Sequence, residues 1–148
     1  MHSGTRKQHR GRSGHAIIEM ALLGPWIFFL FAGVFDAGWF WAAAISVQNA
    51  ARTAVLRTSA SGSRAADNAG ACKSVLAELQ ALPNVRGLTS CDAPPVTVAA
   101  TYVAGPDGAP ASRVAVVYRT DQLIPIPGLS GQATLTGAAQ MRIKDPNQ

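Results

Sequence analysis

Histidine is missing from everything after residue 15: the three in the chain are His2, His9 and His15. The rest of the sequence therefore has no imidazole to act as a general base, to activate a nucleophile or to bind a metal. Cysteine is nearly as scarce, with Cys72 and Cys91 alone, and two thiols without accompanying histidines do not make a zinc site. The carboxylates Asp67, Glu78, Asp92, Asp107, Asp121 and Asp145 are spread over expected loops and helix surfaces, where solvation is the simplest reading. No glycine-rich phosphate loop stands between a strand and a helix. These absences predict a protein that is not an enzyme and that uses no cofactor and no metal.

Charge is also sparse. Of 148 residues, 14% are charged and 48% hydrophobic, an apolar balance for a single soluble domain. The excess is local: sixteen residues from Met20 to Phe35 carry no formal charge, and after Asp36 a second uncharged stretch runs from Ala37 to Ala51. A helix needs about 20 apolar residues to cross a bilayer, and Ala16 to Ile45 supplies them. The remainder is long enough for one small core and too short for two domains.

The net charge of +5 raises the possibility of a nucleic-acid partner, but its distribution argues against one. Arg6, Lys7, Arg10 and Arg12 precede the apolar stretch with no acidic residue among them, and no folded module stands beside them to read bases or shape. Basic residues flanking an apolar span are retained in the cytoplasm. The expected organisation is a basic cytoplasmic leader over residues 1–14, a transmembrane helix over 15–45 and an extracytoplasmic domain over 46–148. The lipid bilayer is the first partner this implies, and nucleic acid is not one.

Both cysteines fall in the part expected outside, where an oxidising compartment permits the single possible pairing. Closing the loop between them stabilises a fold by roughly 3 kcal/mol in the chain-entropy model. The alternative is two unpaired small apolar residues.

Three kinds of N-terminal segment begin with a basic leader. A secretory signal ending at Ala42-Ala43-Ala44 would release a secreted protein, but the apolar stretch exceeds an ordinary signal core. Trp39, Phe40 and Trp41 near its outer end read as an interfacial belt, which favours retention. Asp36, one turn before them, reads as a hydrated interfacial carboxylate. Gly24 and Pro25 interrupt the helix early, where proline removes a backbone donor and predicts a kink; a proline tolerated in a membrane helix is the equal alternative.

Glu19 lies in an otherwise apolar run, Ala16-Ile17-Ile18-Glu19-Met20-Ala21-Leu22-Leu23. A charge deep in hydrocarbon costs about 2.5–3.5 kcal/mol on insertion scales and so has a partner or a function, unless it sits at headgroup level. Together with the preceding Gly14 and His15, this run resembles a type IV prepilin processing site. The resemblance extends over Glu19 to Pro25, over Phe31-Ala32-Gly33-Val34-Phe35-Asp36-Ala37-Gly38 and over Val47-Gln48-Asn49-Ala50-Ala51-Arg52. That pattern is similar to the N-terminal signature of the TadE-like family, pseudopilins or minor pilins of the tight-adherence (Flp) type IV pilus. The tail Leu135-Thr136-Gly137-Ala138-Ala139-Gln140-Met141-Arg142 resembles the closing strand of such proteins. The sequence departs from the pattern at His15 and, loosely, over Thr53 to Arg57.

The resemblance implies cleavage by a prepilin peptidase between Gly14 and His15, which leaves a new ammonium at His15 to pair with Glu19 within one helix or across subunits. It also implies partnership with other pilin or pseudopilin subunits and with the inner-membrane assembly platform, and a role in surface attachment. The competing reading from the residues alone is a single-pass anchored binding protein that is never cleaved.

Beyond the span, Val47, Ala50, Ala51, Ala54 and Val55 recur at helical spacing, so the helix is expected to continue to the polar stretch Thr58 to Ser63. A second helix is predicted with Cys72, Val75, Leu76, Leu79 and Leu82 on one face, ended by Pro83-Asn84. Alternation marks three strands, around Val96–Tyr102, Val114–Tyr118 and Ala133–Ile143, the first two joined in a hairpin through Ala104 to Pro110. The expected class is α+β, pilin-like, with the second helix packed on a small antiparallel sheet.

Overall fold

In the computed structural model, residues 13–120 and 132–147 are described. The first element, α1, runs from Ser13 to Thr58 and contributes to two compact units, one ending at Ala37 and the other running from Gly38 to Gln148.

In the first unit, α1 is apolar on all sides, the pattern of a helix whose surroundings are not water. Ile17, Met20, Leu22, Trp26, Phe28, Phe31 and Phe35 are all more than 60% exposed. The rings of Phe28 and Phe29 meet edge to face, with centroids 5.9 Å apart. The helix continues through Pro25. Because proline has no N–H, the Ala21 carbonyl one turn earlier lacks its usual intrahelical donor there.

In the second unit, α1 turns amphipathic. Ala43, Val47, Ala50, Ala51, Ala54 and Val55 are buried and form one stripe at helical spacing. Arg57 occupies the last turn, where a cation offsets the negative end of the helix dipole. A short 3-10 turn, Gly62–Arg64, leads to α2, Asn68–Leu79. Asp67 caps α2 by accepting from the Gly70 N–H at 2.9 Å, which satisfies one of the free donors of the first turn. The helix stops before Leu82, three residues short of the end read from periodicity. A residue preceding proline is driven out of the helical region, so Leu82, next to Pro83, reaches the core from a turn.

The sheet has four strands in the order β1-β2-β3-β4: Asp92–Ala93, Val96–Ala104, Pro110–Arg119 and Thr134–Arg142, each neighbour antiparallel. Alternation in sequence located β2, β3 and β4; the two-residue β1 is an addition. The β2–β3 loop closes through Gly105 N–H to Ala109 O at 2.7 Å, and Gly108 adopts φ 74°, a region that a side chain would disfavour.

One face of the sheet carries the core. Val96 and Ala100, Val114, Val116 and Tyr118, and Leu135 turn inward beneath the helices, while Arg113, Arg119, Thr136, Gln140 and Arg142 alternate outward. At Gly137 the crossing of α1 over β4 is so close that a Cβ would sit 2.9 Å from the Val47 carbonyl oxygen. The alanines of α1 allow the same approach from the other side.

Three ties finish the unit. Cys72 of α2 is disulfide-bonded to Cys91, with Cα atoms 5.7 Å apart, joining the helix to the residue before β1. Ser112 donates to the Ala65 carbonyl at 2.8 Å and lies 2.7 Å from the Thr58 hydroxyl. Thr58 in turn donates to the Val55 carbonyl one turn back at 3.3 Å, so the two buried hydroxyls tie the end of α1 to β3 and to the turn before α2. Beyond β4, Lys144 N–H bonds the Ser59 carbonyl at 2.9 Å and Gly62 N–H bonds the Asp145 carbonyl at 2.9 Å. The chain thus closes against the turn that follows α1.

Candidate functional site

The candidate site residues, Gly14, His15, Glu19, Gly24, Pro25, Trp39, Phe40 and Trp41, lie along α1, and the cysteines lie outside it. Gly14 and His15 occupy its first turn. Arg6, Lys7, Arg10 and Arg12 of the expected leader lie outside the described residues, as does Asp121. Glu19 is exposed and stands four positions after His15, about 6 Å along the helix and on the same side. A group carried on the backbone nitrogen of His15 is therefore within one turn of the Glu19 carboxylate.

From Ala16 to Ala37, every described side chain is exposed except Ala32 and Asp36, which are half-buried. Gly24, Gly33 and Gly38 have open space where a Cβ would stand. Charged groups frame this surface, with Glu19 at one end and Asp36 at the other and sixteen uncharged residues between them.

The three aromatic residues assigned to one interfacial belt part company. Trp39 is half-buried and packs against the core cluster of the second unit. Phe40 and Trp41 remain exposed, Trp41 at 67%, with rings crossed at 81° and centroids 6.4 Å apart. Consecutive residues on a helix are about 100° apart, so a stripe that faces the sheet takes one ring and leaves its neighbours out. The compact unit begins at Gly38.

Among the described residues, α1 is the one helix long and apolar enough to cross a membrane, and no group of three His, Cys, Asp or Glu is placed to hold a metal ion.

A long apolar N-terminal helix, a second helix and a four-stranded antiparallel sheet define an α+β, pilin-like protein. The family model described as TadE-like protein matches residues 14–56. The match begins at Gly14 and ends within the last turn of α1. No curated protein and no solved structure matches the chain.

Two features escaped the sequence reading. The close approach at Gly137 lay inside the quoted tail motif, yet nothing in the tail alone says which helix crosses it. The second is a groove of about 750 Å³ beside α2, lined by Leu76, Leu88, Val98 and Lys73 with the disulfide in its wall. Its residues come from three separate segments, so no local pattern announces it.

Proposed function

We propose that the chain is a pseudopilin or minor pilin made as a precursor, cut by a prepilin peptidase after Gly14, and used in assembling a tight-adherence type IV pilus for surface attachment. The observation that carries this reading is the family match, which starts at Gly14 and follows the exposed apolar helix into the second unit. The similarity of this segment to the TadE-like family supports a role in the Tad pilus system.

In this reading the basic leader holds the N-terminus in the cytoplasm, α1 resides in the inner membrane and the unit from Gly38 lies outside. Cleavage exposes an ammonium at His15, one turn from Glu19. Each charge relieves the desolvation of the other, whether the pair forms within a helix or between packed subunits. The protein works by assembly, not catalysis, with other pilin-type subunits and the platform as its partners.

The Glu19→Ala variant separates processing from assembly. Immunoblots are expected to show the shortened form at normal levels, while pili and surface attachment are lost on complementation of a deletion strain. Normal piliation by Glu19→Ala would remove Glu19 from the assembly role.

A further inference from the structure

The two edges of the sheet are finished differently. Along the outer edge of β2, Val98 N–H is taken by the Cys91 carbonyl at 3.2 Å and Ala100 N–H by Asn68 Oδ1 at 2.7 Å, while β1 pairs with Val96 and Thr97. The other edge is β4. Thr120 N–H bonds the Ala133 carbonyl and Ile143 N–H bonds the Pro110 carbonyl, which fixes the odd-numbered residues of this stretch as those bonded to β3. The N–H and C=O groups of Thr134, Thr136, Ala138, Gln140 and Arg142 therefore point away from the sheet, and all five residues are exposed. Among the described residues they meet one partner, Gln48 Nε2, at 3.2 Å from the Ala138 carbonyl. This nine-residue edge strand has no proline or lysine and carries its one charged side chain, Arg142, at its last position, so its middle lacks the usual devices that block pairing.

Beside this edge, between α1 and β4, runs a groove of about 470 Å³ whose walls include Arg52, Leu56 and Met141. Leu56 is 56% exposed. The charges around the strand are mostly positive, with Arg52 on the groove wall, Arg113 and Arg119 paired across from Gln140 and Thr134, and Arg142 on β4 itself, against the single carboxylate of Asp107. The ion pair here is Arg142 with Asp107, at 3.8 Å and largely solvated.

We propose that the β4 edge receives an extended acidic segment of another protein as a fifth strand. Its main chain bonds the outward groups of Thr136, Ala138 and Gln140. Its apolar side chains enter the groove beside Leu56 and Met141, and its carboxylates meet Arg119 and Arg142 on the opposite face. Gln48 yields the Ala138 carbonyl to the incoming N–H. A second copy of this chain is disfavoured as the occupant: antiparallel pairing centred on Ala138 sets Arg142 of one copy against Thr134 of the other, next to Arg119. The surface lies in the unit from Gly38 onward and stands independently of the processing of the N-terminus.

The test uses the full chain in detergent micelles and a strand-length, end-blocked peptide alternating valine and glutamate, with a valine–lysine peptide as control. Fluorescence anisotropy is expected to show salt-sensitive binding of the acidic peptide alone, with hydrogen exchange slowed at Thr136 and Gln140. Gln140→Pro removes an outward donor while leaving the β3 ladder intact and is expected to abolish binding. Arg142→Glu, confirmed as folded by its thermal transition, weakens binding by about tenfold or more. Failure of the acidic peptide to bind, equal binding of both peptides, or unchanged binding by folded Arg142→Glu overturns the proposal. Self-association abolished by Gln140→Pro makes a second copy the occupant and overturns it equally.

Discussion

Gly137 and Gly33 are both glycines on apolar elements, yet they answer to different neighbours. A methyl group at Gly137 meets the backbone of Val47, whereas one at Gly33 meets open space. Overpacking against backbone is relieved only by shifting an element, at about 1–3 kcal/mol. Gly137→Ala is therefore expected to lower the thermal midpoint of the folded unit, and Gly33→Ala to leave it unchanged, by circular dichroism or scanning calorimetry. Equal midpoints for the two variants would show that α1 does not cross β4 so closely. At this scale the sequence is least legible. The tail motif was visible as a strand, but Gly137 differs from its neighbours only through a helix some ninety residues away in the chain. Trp39 is a similar case: it reads as one of three equivalent belt residues until the direction of the buried stripe decides that it faces inward.

At the scale of elements, long periodic patterns were readable and short ones were not. The stripe from Val47 to Val55 gave the continuation of α1, and the alternation in β2 and β3 gave their hairpin, because each pattern repeats several times over its own length. β1 has two residues, too few to show a period, and exists because Cys91 is tied to α2 and delivers Asp92 alongside β2. The end of α2 was misplaced for a different reason: Leu82 keeps the helical spacing while Pro83 forbids the helical backbone.

The disulfide is the element-scale feature most open to measurement. It links α2 to the start of the sheet across a sequence separation of 19, for which loop-closure entropy contributes roughly 3 kcal/mol. Reduction, or the Cys72→Ser/Cys91→Ser pair, is expected to lower denaturant stability by about that amount, with α1 of the first unit retaining its helicity. Unaltered stability on reduction would mean that the bond closes a loop already held by packing.

For the molecule as a whole, the sixteen uncharged residues between Glu19 and Asp36 span about 24 Å of helix, against roughly 30 Å of bilayer hydrocarbon. Were α1 to cross a bilayer as proposed, Glu19 and Asp36 would set a short span, with at least one of them drawn inside the hydrocarbon edge unless the bilayer thinned locally. A helix that leaves the bilayer to pack with others can pair its carboxylates there, which is the assembly role proposed above from the match over residues 14–56 and from Glu19. Asp36→Leu is accordingly expected to fractionate with membranes as the wild type does while reducing the amount of chain recovered in sheared pili. Full recovery in pili would confine Asp36 to a headgroup role.

The central claim is that this chain is a precursor whose assembly form begins at His15. Intact-mass spectrometry of the protein purified from cells with and without a prepilin peptidase tests it most directly. The account predicts the mass of residues 15–148 when the peptidase is present and the full-length mass when it is absent or when Gly14 is replaced by Arg. A full-length mass in both strains, a start at Ile45, or normal shortening of the Gly14→Arg variant would contradict it.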